Sequence, residues 1–292
     1  MTTEASVTLA RAPAGLRRRS ALGYARRHKL LVVSGSVIAA YVLAAVIGPY
    51  VTPHDPFESH AGLNFHGPSA SYWFGNDKEG RDIFSRLLYG ARYTLIGGFS
   101  VVGIAALGGF VYGLLTAYVG GWFDRISMRI FDLVLSIPPL VLAIMLVATF
   151  GPGLVPVVVG VGIGYLPAIA RIIRSEALVQ RSQQYVAAGR GLGYSAPRIV
   201  FRHIMPNCTS QIIVQVSMNL PYAIIDIAGL GFFGFGVQPP TPDWGSMLAE
   251  GQQDLLFAPW MVIFPGIAVT GLVLCWNIFG ARLRHALDPT TY

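Results

Sequence analysis

Long stretches without a charged residue constrain this chain more than any other feature. Residues 30–51, 93–123 and 133–170 contain no Asp, Glu, Lys or Arg. About 20 apolar residues in a helix cross a bilayer core, and backbone polar groups in lipid must be hydrogen-bonded within the segment. The sequence shows no series of ten-residue strands with alternating polarity, the pattern of membrane β-barrels. The pattern therefore predicts an all-α, polytopic membrane protein.

Composition excludes several other classes of protein. Apolar residues make up 53% of the 292 residues and charged residues only 12%, against roughly 25% charged residues in soluble domains. This amount of charge cannot cover a surface that faces water, so a water-soluble globular enzyme, a disordered chain and a coiled coil are excluded. With only two cysteines, Cys208 and Cys275, a disulfide framework and a thiolate zinc cluster are excluded as well.

The apolar stretches predict six transmembrane helices. The Gly-Pro-Gly sequence at 151–153 divides the longest stretch into two, because Gly and Pro together mark a turn. The predicted spans are 30–51, 93–123, two within 133–170, 207–235 and 255–281.

Basic residues predict the orientation of these helices. Seven Lys and Arg lie in the first thirty residues and six Arg lie in 171–206, whereas 237–254 contains none. Cytoplasmic loops carry an excess of Lys and Arg, so both termini and the 171–206 loop are expected in the cytoplasm. The clustering beside apolar segments argues against a nucleic-acid partner, despite the net charge of +7.

These boundaries give the predicted organisation of the chain. It consists of a basic N-terminal tail (1–29), a first transmembrane helix (30–51), an external loop with an interfacial helix (52–92), a five-helix core with a coupling loop at 171–206 (93–281), and a C-terminal tail (282–292).

The external segment contains arginines that oppose the charge rule. They are Arg81, Arg86 and Arg92. Residues 80–92 fit an amphipathic helix at the membrane surface, with Ile83, Leu87 and Leu88 facing lipid. Three histidines at 54, 60 and 66 have no common metal-ligand spacing, so they are expected to be solvated. The alternative is a weak metal site formed with Asp55 and Glu58.

Two nucleotide-binding patterns occur in unsuitable contexts. Residues 229–234 match GxGxxG, which binds a dinucleotide only between a strand and a helix. In an apolar span the same glycines predict close helix packing or a bend. Residues 75–80 resemble the start of a phosphate-binding loop, but Arg81 and Asp82 stand where that loop has its Lys and its Ser or Thr, so no ATP site is predicted in this chain.

The 171–206 loop carries the most informative pattern. After a short helical run, Gly193 predicts a stop, and Ser195 with Pro197 predicts the start of a second short helix. That second helix combines apolar positions with arginines, which favours docking to a cytoplasmic partner. The alternative is an interfacial helix lying on anionic lipid.

This loop resembles the cytoplasmic EAA loop of permease subunits in bacterial ABC importers. Ala188, Gly193 and Pro206 fit that pattern. Ala187 stands where the family usually has Glu, and Gly189 stands where it usually has Ala.

Other stretches are similar to signatures of one branch of that family, the importers of dipeptides, oligopeptides and nickel. They are residues 75–86, 229–248 and 277–284. The resemblance runs from about residue 30 to residue 289 and is greatest to the second ("C") permease subunit of dipeptide importers. It implies a non-catalytic permease with the type I importer fold in the bacterial cytoplasmic membrane.

The resemblance also implies partners and site residues. The partners are a second homologous permease, two cytoplasmic ATPase subunits that bind ATP and Mg²⁺, and an external solute-binding lipoprotein; the cargo is a short peptide. No cofactor or metal is expected on this chain. The residues expected to couple it to the ATPase are Ala187, Ala188, Gly189, Gly193, Ile199, His203 and Pro206.

Polar side chains recur along one face of the fifth span. They are Gln211, Gln215, Asn219, Tyr222 and Asp226. At about 100° per residue they fall within an arc of roughly 80°, and polar residues in a membrane helix face protein or water. We expect this face to line the solute path, with Asp226 meeting a peptide's amino group. The alternative is hydrogen bonding to the partner permease.

Three other functions fit parts of the pattern. The same machinery can carry nickel or another chelate. A stand-alone secondary transporter or channel needs ionisable pairs inside its spans, but only Asp132 and Asp226 lie near span interiors, with no basic partner expected there. An integral-membrane enzyme needs a His/Asp metal cluster within a span, and the sequence contains none.

Overall fold

The computed structural model describes residues 29–287. Within them the helices are α1 (Lys29–Val51), α2 (Ile83–Val119), α3 (Gly121–Leu135), α4 (Pro139–Phe150), α5 (Leu154–Arg181), α6 (Gln184–Gly191), α7 (Ala196–Ile199), α8 (Met205–Phe232), α9 (Trp244–Gln252) and α10 (Trp260–Leu287). A π-helical turn, Val200–Ile204, joins α7 to α8. No strand is assigned in this range, so the predicted all-α class is confirmed. The basic residues before Lys29 and the last five residues lie outside the described range.

Five segments are long and apolar enough to cross a membrane: α1, α2, α5, α10, and α7 to α8 as one continuous helix. The sixth candidate is the pair α3 and α4, which are bent by 82° at a short break. Pro138 lies in this break and Pro139 is the first residue of α4, and proline supplies no backbone N–H and restricts the residue before it. The six-span prediction agrees with the structure when this pair is counted as one span.

The predicted turn between the third and fourth spans is present. Helix α4 ends at Phe150 and α5 begins at Leu154. Gly151 has a φ of +87°, a conformation that side chains with a Cβ rarely adopt. The backbone N–H of Gly153 donates to the carbonyl oxygen of Phe235 at 3.0 Å, which ties the turn to the end of α8.

The separate interfacial helix predicted over 80–92 is absent, and its residues form the first turns of α2. Asp82 caps this helix by accepting a hydrogen bond from the Ser85 N–H at 3.0 Å. Ile83 is only 2% exposed, so the prediction that it faces lipid is wrong. The reason is tertiary packing, because the segment before α2 and helix α9 cover this end of the helix. For example, the Trp244 indole donates to the Leu87 carbonyl oxygen at 3.0 Å.

The predicted loop over 171–206 is shorter than expected. Residues 171–181 form the last turns of α5. Their arginines contact α3: Arg174 binds Asp124 at 2.5 Å, and Arg171 is paired with Asp132. The expectation that Asp132 has no basic partner is therefore wrong, because that partner lies on the extended α5.

Close contact between α2 and α5 forms the centre of the fold. A Cβ on Gly113 would lie 2.7 Å from the Ala170 carbonyl oxygen, so only glycine allows this approach. One apolar cluster extends from α1 and α2 through α5 and α8 to α10. A second joins the ends of α2 and α5 to α6, α7 and the start of α8. The second cluster fixes the position of the loop that follows α5.

Candidate functional sites: an interhelical loop and a polar helix face

The interhelical loop, residues 182–206, has the predicted helix–turn–helix form. Gly193 has a φ of +75°, and its N–H donates to the Arg190 carbonyl oxygen at 3.0 Å after α6 ends. The N–H of Tyr194 donates to the Gly189 carbonyl oxygen at 3.0 Å. Ser195 precedes α7 as predicted, but its side chain makes no capping hydrogen bond. The turn is therefore built from the glycine conformation and backbone hydrogen bonds.

One face of this loop is buried against the ends of α2 and α5. Val186, Ile199 and Ile204 are buried in the second apolar cluster with Ile173. Gly189 is also buried, and a Cβ at this position would lie 3.3 Å from the Tyr194 ring. Apolar burial of this kind holds the loop as a continuation of the transmembrane bundle.

An aromatic stack that the sequence did not reveal holds the two short helices together. The rings of Tyr194 and His203 are parallel within 8°, with centroids 6.0 Å apart. The Arg198 guanidinium lies 4.6 Å from the Tyr194 ring centroid, in the range of a cation–π contact. The Tyr185 hydroxyl donates to Gln180 Oε1 at 2.6 Å, and burial raises the pKa of Tyr185. The spacing of aromatic residues around Gly193 is a signal for this stack.

The opposite face of the loop is open. Leu192 is 72% exposed and Phe201 is 65% exposed. Arg190, Arg198 and Arg202, which are close to them in the sequence, are also exposed, and within residues 29–287 none of the three forms a salt bridge. This face combines apolar anchors with positive charge, as protein–protein interfaces commonly do.

The residues predicted to couple the chain to an ATPase divide between these two faces. Four are exposed: Ala187, Ala188, Gly193 and Pro206. Gly189 and Ile199 are buried, and His203 is half-buried. Gly189 and Ile199 therefore shape the loop, and the four exposed residues are available for direct contact.

The polar face of α8 exists as predicted. Gln211, Gln215, Asn219 and Asp226 are half-buried, and Tyr222 is 58% exposed. The Asn219 side-chain amide donates to the Gln215 carbonyl oxygen at 2.8 Å. Pro221 lies within this helix and is buried on its other side.

Asp226 has one hydrogen-bond partner that sequence reasoning missed. The Tyr165 hydroxyl on α5 donates to Asp226 Oδ2 at 2.6 Å. The two residues are 61 positions apart, so only the packing of α5 on α8 brings them together.

An open groove of about 350 Å³ lies at the loop end of the polar face. Its lining residues are Arg171, Ile172, Ser175, Glu176, Val179 and Gln211. Gln211 belongs both to this groove and to the polar face. The groove and the polar face therefore meet at Gln211.

A buried ionic cluster at the opposite end of the bundle was also missed. Arg81 Nε lies 2.6 Å from Asp77 Oδ2, and the guanidinium nitrogens of Arg81 and Arg86 each lie 3.1 Å from Glu250 Oε2. Arg81 and Arg86 are 4% and 1% exposed. The acidic residues within 77–82 were a signal for this cluster, since they lie beside the arginines in sequence.

The three histidines in the segment before α2 differ in exposure and in their contacts. His54 is half-buried: its Nδ1 lies 3.4 Å from Asp82 Oδ2, and its ring stacks on Tyr72 at 4.6 Å. His66 is exposed. The expectation that all three are simply solvated is wrong for His54. Among residues 29–287 no group of three or more His, Cys, Asp or Glu side chains has a metal-binding arrangement.

Gly231, the middle glycine of the glycine-rich run at the end of α8, is closely packed. A Cβ on Gly231 would lie 2.7 Å from Asp243 Oδ1. Asp243 Oδ1 accepts hydrogen bonds from the backbone of Gly245 and Ser246 and caps α9. Burial raises the pKa of Asp243 above its ordinary value. Close packing at Gly231 agrees with the interpretation of this run given by its apolar context.

Matches to sequence families identify the kind of protein to which this chain belongs. Residues 109–291 match the family described as binding-protein-dependent transport system inner membrane component. Residues 18–68 match the N-terminal transmembrane domain of oligopeptide transport permease C. The chain belongs to this permease family. It is a non-catalytic membrane subunit of a bacterial ABC importer, and it spans the inner membrane several times.

Individual relatives agree with that assignment over most of the permease. It is 40% identical over 271 residues to the dipeptide transport system permease protein DppC of Alkalihalophilus pseudofirmus, covering 93% of this chain and 89% of that protein. It is 42% identical over 266 residues to the glutathione transport system permease protein GsiD of Salmonella paratyphi A, covering 90% and 88%.

The fold of the permease is also seen in a solved transporter. A chain of the MetNI methionine ABC transporter, crystallised in inward-facing conformations, matches with a TM-score of 0.56 and 20% identity. The match covers 70% of this permease and 98% of that chain. The type I importer fold is therefore shown, and the alternative of a stand-alone secondary transporter is excluded by the family.

Proposed function

We propose that this permease imports short peptides together with a second permease, two ATPase subunits and an external solute-binding protein. The relatives above are named for dipeptide and glutathione transport. Both cargoes contain a primary ammonium group, carboxylates and amide bonds. The polar face of α8 presents amide, hydroxyl and carboxylate groups that complement such a cargo.

The interhelical loop faces the cytoplasm in this proposal and is the contact surface for an ATPase subunit. The exposed part of the loop carries the assignment, because Leu192 and Phe201 are large exposed apolar side chains and the exposed arginines of the loop form no salt bridge within residues 29–287. Since Ala187 replaces the family's usual Glu, the docking contact here depends on apolar and cationic groups.

In this proposal, the two faces of the loop couple movement of the ATPase subunits to movement of the transmembrane helices. ATP and Mg²⁺ belong to the ATPase subunits in this proposal. Movement of those subunits shifts the loop, and its buried face carries the displacement to α2 and α5 through the second apolar cluster. The permease itself contributes unequal affinity for cargo in its two states, which is the only way a ligand can shift such an equilibrium.

The solute path runs along the polar face of α8 and leaves through the groove at Gln211. The shared position of Gln211 supports this route, because that residue belongs both to the groove and to the polar face. A partner permease then completes the wall of the path opposite α8.

Docking is tested by replacing both exposed anchors, Leu192→Asp and Phe201→Asp, and measuring how much ATPase subunit co-purifies with the permease. Each buried interface anchor contributes about 2 kcal/mol or more, so the double variant is expected to lose most of the bound ATPase. The matched control is Leu256→Asp, since Leu256 is 92% exposed in the turn before α10. Full retention of the ATPase by the double variant contradicts docking at this face.

The path is tested by Asn219→Leu in cells that carry this permease as their only peptide importer. Radiolabelled alanylalanine uptake is expected to fall at least about tenfold, because an apolar group removes the amide contacts to cargo. Asn277→Leu on α10 is the matched control, since that amide is exposed and bonds only to its own helix at the Val273 carbonyl oxygen. Normal uptake by an Asn219→Leu complex that assembles normally contradicts a path along this face.

A further inference from the structure

Asp226 differs from the other acidic residues that α5 contacts. Asp124 and Asp132 of α3 each have an arginine partner on α5. Asp226 has none: among residues 29–287 no Lys, Arg or His lies within salt-bridge distance of it. Its described partner is the hydroxyl of Tyr165, which donates to Oδ2 and leaves Oδ1 without a partner in the described range.

An ionised carboxylate in this position is stabilised by a cation. Asp226 lies within a membrane-spanning helix, where an ionised carboxylate without a counter-charge is costly. A single hydrogen bond from a phenol offsets only part of that cost. The half-buried side chain faces the polar surface of α8, so a cation that moves along this surface can reach it.

The neighbouring groups select the kind of cation. A metal ion prefers several carboxylate, imidazole or thiolate ligands, and no such cluster occurs in the described part of the chain. An ammonium group needs fewer: one carboxylate, a hydroxyl oxygen as a second acceptor, and an aromatic face. Tyr165 supplies the hydroxyl oxygen. Tyr222, about one turn from Asp226 on the same helix face and 58% exposed, supplies an aromatic ring.

We propose that Tyr165 and Asp226 form a subsite for the primary ammonium group of the cargo. The proposal rests on the proposed path along α8. In the empty state Tyr165 holds the carboxylate in a fixed orientation through its hydrogen bond. When cargo arrives, the ammonium donates to the free Oδ1, and the phenol oxygen of Tyr165 accepts a second hydrogen bond. Tyr165 is thus both a positioning residue for Asp226 and a ligand of the cargo.

The test measures weak binding directly, without the solute-binding protein, whose own preferences would otherwise contribute. The assembled transporter in lipid nanodiscs is titrated with alanylalanine, and binding is followed by saturation-transfer NMR. N-acetyl-alanylalanine is the second probe, because acetylation removes the positive charge and keeps the rest of the peptide. Asp226→Asn is expected to weaken alanylalanine binding at least about tenfold and to change N-acetyl-alanylalanine binding less than about twofold.

Further variants separate recognition from structure. Asp226→Glu is expected to restore most of the alanylalanine affinity, since it keeps the charge. Tyr165→Phe is expected to reduce it about threefold to tenfold, through loss of one hydrogen bond. Asp254→Asn, the same chemical change in the turn between α9 and α10, is the matched control and is expected to leave both peptides unaffected.

The outcomes separate this subsite from the path itself. Equal weakening of both peptides by Asp226→Asn overturns ammonium recognition and leaves Asp226 on the path. Unchanged alanylalanine binding in Asp226→Asn, or no binding by the wild-type transporter at millimolar peptide, overturns the subsite. In either case the Asn219→Leu uptake experiment still decides whether the α8 face lines the path.

Discussion

The arginines at the two ends of the helix bundle differ in burial and in their salt-bridge partners. At one end, Arg81 and Arg86 are buried and lie within 3.1 Å of the Glu250 carboxylate of the same chain. At the other end, the arginines of the interhelical loop are exposed, as are Leu192 and Phe201, and these arginines form no salt bridge in the described range. The first set is satisfied within the chain, and the second is available to another molecule.

This difference shows why counting charges alone gave a conflict in the segment before α2. The orientation rule concerns charges that remain free near the membrane surface. Arg81 and Arg86 are compensated by Asp77 and Glu250, so they do not oppose the predicted orientation as free arginines would. The charge of a loop is therefore informative only together with the partners of that charge.

Removing the carboxylate that Arg81 and Arg86 share is expected to have the largest effect on the stability of the end of the bundle that contains the buried arginines. Glu250→Gln leaves two buried guanidinium groups with less counter-charge, and breaking a buried ion pair in this way costs about 3–5 kcal/mol. We expect a clearly lower temperature of thermal unfolding for the detergent-solubilised transporter. Glu58→Gln is the control, because Glu58 is exposed and only approaches His60 at 4.0 Å. Equal unfolding temperatures for Glu250→Gln and wild type would show that the cluster contributes no stability.

A change in the turn of the loop is expected to have a smaller, functional effect. Gly193→Ala places a Cβ on a residue with a φ of +75°, at a cost of about 1–2 kcal/mol. No neighbouring atom lies within 4 Å of that Cβ, so the cost is conformational and the bundle remains intact. We expect several-fold weaker stimulation of ATPase activity by peptide and solute-binding protein, with little change in unfolding temperature.

Gly191→Ala serves as the matched control for this turn. Gly191 is also exposed with open space at its Cβ, but it ends α6 without a positive φ. Loss of coupling in both variants would indicate that the surface itself, rather than the turn conformation, is sensitive.

A change in the cap of α9, Asp243→Asn, is expected to have the smallest effect on the unfolding temperature, and this effect depends on pH. Burial raises the folded-state pKa of Asp243 above its unfolded value, so the folded protein binds this proton more tightly. Its contribution to stability therefore increases as pH falls toward about 4, the ordinary pKa of Asp, and is lost as pH rises through the folded-state pKa. The difference in unfolding temperature between wild type and Asp243→Asn, measured from pH 7 to pH 5, is expected to shift in favour of wild type on acidification. The opposite trend would contradict a raised pKa.

The sequence was sufficient for features that depend on local composition and periodicity. The apolar stretches predicted the membrane helices, Gly193 predicted the turn, and the spacing from Gln211 to Asp226 predicted one polar face. Each of these follows from residues close together in the chain.

Features made by distant residues were not predicted from the sequence. Tyr165 meets Asp226 across 61 positions, and Arg86 meets Glu250 across 164. The same limit explains the error at Ile83, which lies on the apolar side of an amphipathic local pattern but is buried in the first apolar cluster. A single sequence indicates which side chains need partners, but those partners are determined by the packing of the helices.

The position of Glu250 has a mechanical consequence for the whole permease. Arg86 lies in the first turn of α2, and Glu250 lies on α9, the short helix between α8 and α10. One carboxylate therefore fastens the start of α2 to the segment that joins α8 to α10. For stiff helices pinned at one membrane surface, any relative tilt produces a displacement that grows with distance from the pin. The largest excursion then falls about 30 Å away, across the thickness of the bilayer core, where the interhelical loop lies.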